Sequence, residues 1–161
     1  MRRKDREVTD AAKIRTVIET AHCCRLGFND GGNVYIVPLS YGFEYENGAY
    51  TFYFHGAQEG RKIDCIKKNS CVAFELDCDY ELKRAETASA HSAYYRSIMG
   101  EGTVSFVHDV QEKLTALELL MLHTAGKAGW DYPEAMLEKV CVFKLHVLTL
   151  SCKEHVKQSV C

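Results

Sequence analysis

Three strand-like runs in succession, separated by turn signals and by no helix, constrain the fold of this chain more than any other feature. Residues 23–28, 34–45 and 50–55 are rich in β-branched and aromatic side chains, and Asn29-Asp30-Gly31-Gly32 and Glu46-Asn47-Gly48 punctuate them. Strands joined by so few residues run antiparallel, because a parallel pair needs a crossover of about a dozen residues or more. The three runs read as an antiparallel meander, and a doubly wound parallel sheet is excluded.

Further runs follow at 71–80, 94–108 and 139–152, which makes six strands in all. Gly100 and Gly102 interrupt the fifth and suggest a bulge or bend of the kind that closes barrels. In the last, Cys141, Phe143, Leu145 and Val147 alternate with Lys144 and His146, so one face is buried and the other partly wet. Three helices accompany them. The first follows Thr9-Asp10, either of which can cap it, and sets Ile14, Val17, Ile18 and Ala21 on one face. The second runs over 60–68, with Ile63 and Ile66 inward and Asn69-Ser70 at its end. The third runs over 109–124 with Val110, Leu114, Leu117, Met121 and Thr124 along a stripe that Leu120 and Leu122 widen. Residues 81–93 read as a polar connection. The expected fold is mainly β with α: a small six-stranded antiparallel, Greek-key-like barrel with helices packed outside.

With 161 residues, no repeat and no linker-like tract, residues 1–161 read as a single domain whose core spans about 10–152. A net charge of -2 with mixed signs gives no broad cationic field, so nucleic acid is not an expected partner. The charged start Met1-Arg2-Arg3-Lys4 is followed by no apolar core of a signal peptide, and no run is long enough to span a bilayer, so the expected location is cytoplasmic and off the membrane. The eight cysteines form no Cys-x-x-Cys pair and read as reduced, core-filling residues. His22-Cys23-Cys24 does not read as a metal site, because adjacent strand residues point to opposite faces. No metal is expected.

The richest chemistry lies where the aromatic strand Tyr50 to His55 runs into a helix that opens Gly60-Arg61-Lys62. Backbone N–H groups at a helix start favour an anion; Gly60 permits close approach, Arg61 adds a planar fork and Lys62 a point charge. The pattern suits a phosphate-bearing ligand, and equally a solvated helix start with ordinary surface cations.

The order of motifs carries a more specific likeness. Val37-Pro38-Leu39-Ser40-Tyr41-Gly42-Phe43-Glu44, then Phe52-Tyr53-Phe54-His55-Gly56-Ala57 with Gly60-Arg61-Lys62, then Tyr95-Arg96-Ser97 ahead of Gly100-Glu101-Gly102, resembles the FMN-binding split barrel related to pyridoxamine 5′-phosphate oxidase, in the branch that includes the 5-nitroimidazole resistance proteins. The resemblance spans about residues 1–150. It implies a homodimer with two FMN molecules between subunits, the phosphate held by Arg61 and Lys62, the ribityl chain flanked by His55 and Gly56, and the ring laid along Pro38, Leu39, Ser40 and Tyr41, with Tyr95 and Ser97 as further contacts. Trp130, after Gly126-Lys127-Ala128-Gly129, is either a cover for the partner's flavin or an interface anchor. His123 reads as helix packing or a helix C-terminal charge. The tail Ser151-Cys152-Lys153-Glu154-His155 departs from the true oxidase, having no Arg-x-His-type segment to grip a vitamin phosphate.

The residues fit a flavin on their own terms: an anion site, an apolar slot and nearby N–H or O–H donors. The redox step would belong to the cofactor, and no Ser-His-Asp or Cys-His arrangement suggests a protein nucleophile; the catalytic residues stay unassigned. No Gly-x-Gly-x-x-Gly fingerprint occurs, so NADH or NADPH would act as a transient donor over the flavin. His55 either contacts cofactor or is a satisfied strand end. Three classes follow: an FMN-dependent oxidoreductase of small planar acceptors such as nitro compounds, a flavin- or haem-binding protein without turnover, and an interaction domain. Apolar surface on residues 34–45 and 94–106 points to the homodimer independently.

Overall fold

The computed structural model describes residues 3–157, leaving Met1, Arg2 and Cys161 of the sequence reading outside the described residues. Its elements run β1 (Glu7–Val8), α1 (Ala11–Thr20), β2 (Cys24–Asp30), β3 (Asn33–Leu39), β4 (Gly42–Glu46), β5 (Ala49–Gly56), α2 (Arg61–Lys68), β6 (Cys71–Lys83), β7 (Ser92–Val107), α3 (Val110–Ala125), α4 (Glu134–Lys139) and β8 (Cys141–His155). The strands form one antiparallel sheet in the order β3-β2-β6-β7-β8-β5-β4, with β1 on β8. The two ends of that path, β3 and β4, are joined by only Ser40 and Tyr41. A sheet whose edges are tied by two residues has to curl back on itself, yet no ladder bridges that junction: this is the split in the barrel.

The expected meander is therefore corrected. Residues 34–45 are two strands, β3 pairing with β2 and β4 with β5. The cause is local. Pro38 has no N–H to give a ladder and sits on an edge strand, where none is needed. Tyr41 then turns fully inward, and its hydroxyl oxygen lies within donating distance of the carbonyls of Ile18 (2.6 Å) and Ala21 (3.0 Å) at the end of α1. At Gly42 the backbone of Leu119 and Leu120 in α3 presses so close that no Cβ could be accommodated.

This split, together with the short β1, raises the six expected strands to eight. β6 continues three residues into the stretch read as a polar connection, past an irregularity between Cys78 and Glu81 where Asp79 takes φ +57°. β7 is unbroken through Gly100, and the expected bulge falls between Glu101 and Gly102 against β8. The helix α4 was not foreseen; Pro133 precedes it and six residues carry little periodicity.

The core is aromatic. Phe52, Phe54 and Phe143 are fully buried, Phe54 stacking on Phe143 at 5.3 Å, and burial of each such side chain contributes about 1.5–3 kcal/mol. Asp10 caps α1 by accepting from the N–H groups of Ala12 and Lys13, and Val17 and Ile18 close that end of the barrel. Asp109 caps α3, which ends at Gly126. The buried face of α3 is Ala116, Leu117 and Leu120; Val110, expected in the stripe, is 54% exposed. Cys24, Cys65 and Cys152 are core residues, whereas Cys71 is exposed. No described helix is long and apolar enough to cross a membrane.

Candidate functional site

The start of α2 is built by three neighbouring segments. β5 delivers His55 and Gly56, the Gly60 N-cap follows at φ +121°, and Arg61 and Lys62 form the first turn, which no side chain caps. Gly60 thus takes a backbone conformation that side-chain-bearing residues avoid, and the N–H groups of Ile63 and Asp64 return to its carbonyl.

Arg61 is braced from the β2–β3 hairpin. Its Nε donates to Asp30 Oδ2 at 2.9 Å, and its guanidinium lies 4.2 Å from the centroid of Tyr35. Its two terminal nitrogens make no hydrogen bond among the described residues and keep a donor edge for a ligand. The hydrogen bond from Arg61 holds the Asp30 carboxyl below the usual carboxylate range. Neither brace was read as functional from sequence, since Asp30 sat in a turn signature and Tyr35 in a strand.

Lys62 has no carboxylate partner among the described residues, and its chain lies over Gly56: a Cβ there would stand 2.6 Å from Nζ and 2.9 Å from Cε. Gly56 is thereby the floor of the ammonium's position. Desolvation of the His55 ring, and secondly the nearby charge of Lys62, lower the His55 pKa from its ordinary value. His55, Gly56 and Lys62 therefore meet at the end of β5, while the neighbouring Arg61 is turned to Asp30 and Tyr35 of the β2–β3 hairpin. The residues that could hold a phosphate here are Lys62, which has no carboxylate partner among the described residues, and Arg61 at the same helix start, which no side chain caps.

The strand expected to carry a ring divides by face. Pro38 and Ser40 point outward and are exposed, whereas Leu39 packs against the core and Tyr41 is fully buried. Tyr41, expected to contact the ring, is corrected: the whole residue is buried and its carbonyl lies 2.8 Å from His123 Nδ1, so it presents no atom to a ligand, while Leu39 is half-buried. Tyr95 and Ser97 are not brought to α2. They lie near the start of β7, opposite His155 and Lys153, while the end of β7 that neighbours β5 through β8 is Val107, about 33 Å further along an extended strand. Trp130 also stands apart. Its loop is held by Glu118, whose carboxylate accepts from the N–H groups of Gly129 (2.7 Å) and Trp130 (3.0 Å), and Lys127 lies 4.9 Å over the ring. The indole is 42% exposed.

The outer face of the sheet carries an apolar groove of about 800 Å³, lined by Val34 and Ile36 of β3, Ala73 of β6, and Met99 of β7, with Arg25 and Glu75 paired at its margin. Val34 is 78% and Ile36 60% exposed. The surface expected to be apolar on residues 34–45 and 94–106 is present here, in aliphatic rather than aromatic form.

Comparison with known proteins agrees with the fold. Residues 10–154 match the family model for pyridoxamine 5′-phosphate oxidase. A solved structure from Bacteroides thetaiotaomicron, provisionally assigned as a 5-nitroimidazole antibiotic resistance protein, is 31% identical and superposes with a TM-score of 0.77 over 91% of this chain and 85% of its own. A flavocytochrome from Azotobacter vinelandii shares the fold at 17% identity and a TM-score of 0.79, covering 98% of this chain and 72% of its own. An FAD-binding protein from Mesorhizobium loti does so at 22% identity and 0.63, covering 94% and 98%. Among curated proteins none matches. A match that spans residues 10–154, nearly the whole barrel, means that this chain belongs to the pyridoxamine 5′-phosphate oxidase family.

Proposed function

We propose that the protein is an FMN-binding flavoprotein that passes electrons from reduced nicotinamide to a small planar acceptor such as a nitro compound. The observation that carries this reading is the α2 start, where Lys62, without a carboxylate partner among the described residues, lies over Gly56 beside His55, next in sequence to the braced Arg61. The resemblance to a nitroimidazole-resistance protein at 31% identity supports the choice of acceptor.

In this reading Arg61 and Lys62 hold the phosphate, His55 and Gly56 flank the ribityl chain, and Pro38, Leu39 and Ser40 border the ring, with the buried Tyr41 behind them. FMN supplies the electron transfer when bound, and the protein supplies binding, orientation and exclusion of water. Because Tyr95, Ser97 and Trp130 lie away from α2, they serve the site only from a second subunit. The apolar groove on the outer face gives that subunit a place to dock, since an exposed aliphatic patch on a small domain marks an association surface.

Titration of the apoprotein with FMN and with riboflavin tests the reading. FMN should bind much more tightly, give a flavin spectrum, and support consumption of reduced nicotinamide in the presence of a nitroaromatic. Equal binding of riboflavin would remove the phosphate site. A Soret band in place of flavin absorbance would make the chain a haem binder, and a bound flavin without turnover would leave binding but end the oxidoreductase assignment.

A further inference from the structure

A cavity of about 220 Å³ opens where α2, the first turn of α3, the end of α4 and the start of β8 come together. Ile63, Val107 and Val142 give it apolar walls. Lys67, His108 and Lys113 also line it, and no carboxylate does. The neighbouring Lys68 and Lys144 reach Asp30 and Glu112, whereas Lys67 and Lys113 form no ion pair among the described residues. Cys141 lies on the cavity surface, opposite Gly56 in the β5–β8 ladder, so the cavity adjoins the α2 start although Lys62 does not line it.

Lys113 is half-buried, and its ammonium meets only the carbonyls of Leu137 and Val140 at the end of α4, each at 3.4 Å. A helix end supplies roughly half an elementary charge, so part of the ammonium's charge stays uncompensated in a partly apolar setting, which is costly. Burial raises the Cys141 pKa, and the charges of Lys113, then Lys62 and Lys67, act against that shift. Three ammonium groups thus bear on one thiol at the cavity surface. A strongly hydrated ion such as inorganic phosphate gains nothing from apolar walls, whereas an acid with an apolar body uses both the walls and the cations. The volume lies below the range of about 300–1,000 Å³ that suits drug-sized ligands, which limits the occupant to a small acid.

We propose that this cavity binds a small organic acid, a single-ring carboxylate whose body lies against Ile63, Val107 and Val142 and whose carboxylate meets Lys113 and Lys67. The site stands apart from the phosphate grip and does not depend on the flavin reading. Its ligand differs from a flavin phosphate in what it needs: an apolar ring and one negative charge at its edge.

The experiment uses the full-length protein without added flavin, benzoate as the probe and benzamide as its neutral counterpart. Calorimetry gives the affinities, and peptide mass spectrometry follows alkylation of Cys141 by iodoacetamide, with the exposed Cys71 as internal reference. Benzoate should bind at least about tenfold more tightly than benzamide and slow alkylation at Cys141 but not at Cys71. Lys113→Met should weaken benzoate about tenfold and Lys67→Met about threefold, while Lys139→Met, in α4 but outside the lining, leaves it unchanged. Equal affinity for benzoate and benzamide overturns the proposal, as does parent-like benzoate binding in both lining variants or an equal loss in Lys139→Met. Benzoate binding without protection of Cys141 places the acid elsewhere and overturns it too. Should Lys113→Met fail to fold, the exposed Lys67 position still decides. FMN binding without benzoate binding removes this proposal alone, whereas benzoate binding in a chain that takes no flavin leaves it standing and removes the functional reading.

Discussion

The α2 start and the outer face of the sheet differ in how the chain assembles them. The first draws mainly on residues 55–62, where one strand hands over directly to one helix, with Asp30 and Tyr35 of the β2–β3 hairpin bracing Arg61. The second draws on β2, β3, β6, β7 and β8, whose exposed residues share a face only because the ladder registers align them: Ala73 opposite Gly27 and Glu101, and Glu75 opposite Arg25 and Met99. One region is polar, specific and local; the other is apolar, broad and created by topology. A ligand site of this kind survives small shifts of register, whereas an association face does not, since a slip by one residue inverts every side chain.

The largest effect expected from breaking this contrast is on the outer face. Ile36→Glu combined with Met99→Glu should abolish self-association, so that light scattering falls from about twice the 18.2 kDa chain mass to the single mass, with the far-ultraviolet spectrum unchanged. A parent protein already monomeric while binding FMN would end the interfacial site. At the α2 start, Arg61→Ala and Lys62→Ala should each weaken FMN by roughly 1–3 kcal/mol and leave riboflavin almost untouched, the range for charge-assisted hydrogen bonds. Isothermal titration reads both ligands.

A smaller and more pointed effect belongs to Gly56→Ala. The added methyl meets only the far end of a flexible lysine, so the thermal midpoint should hardly change, while FMN weakens by about tenfold, or ~1.4 kcal/mol, as Nζ is displaced. An unchanged FMN affinity would show that Lys62 does not need that floor.

The smallest effect is a pH dependence. His55 has a lowered pKa in the folded protein, so its contribution to stability is present above the ordinary value of 6.5 and is lost as pH falls through the folded value, because the unfolded chain takes up the proton first. Denaturant midpoints at pH 7.5 and 5.5 should draw closer together in His55→Gln than in the parent. Equal gaps would remove the imidazole from the balance.

What the sequence disclosed follows the same division. Gly60-Arg61-Lys62, the turn signals and the six strand runs were legible because each is local: helix starts, turns and two-residue alternation are written within a few positions. The break at Ser40-Tyr41 was not, because residues 34–45 look like one β-rich run and what divides them is the reach of Tyr41 to α1 and the pressure of α3 on Gly42. The same holds for Arg61, whose cationic charge was evident while its brace came from a turn aspartate and a strand tyrosine. His123 was readable as a helix-end residue, but the carbonyl it meets is 82 positions away.

β8 pairs with β1, β5 and β7 at once. During synthesis, therefore, β5 emerges with no lasting neighbour on one side and waits for a strand that begins at Cys141, through the making of three helices and two long strands. Pairings of such separation slow folding and leave open edges while they are pending. A nascent chain of this protein remains vulnerable to aggregation until residue 155 clears the ribosome, and a chaperone that shields the β4–β5 hairpin over that interval would raise the yield of folded protein more than one acting on any later segment.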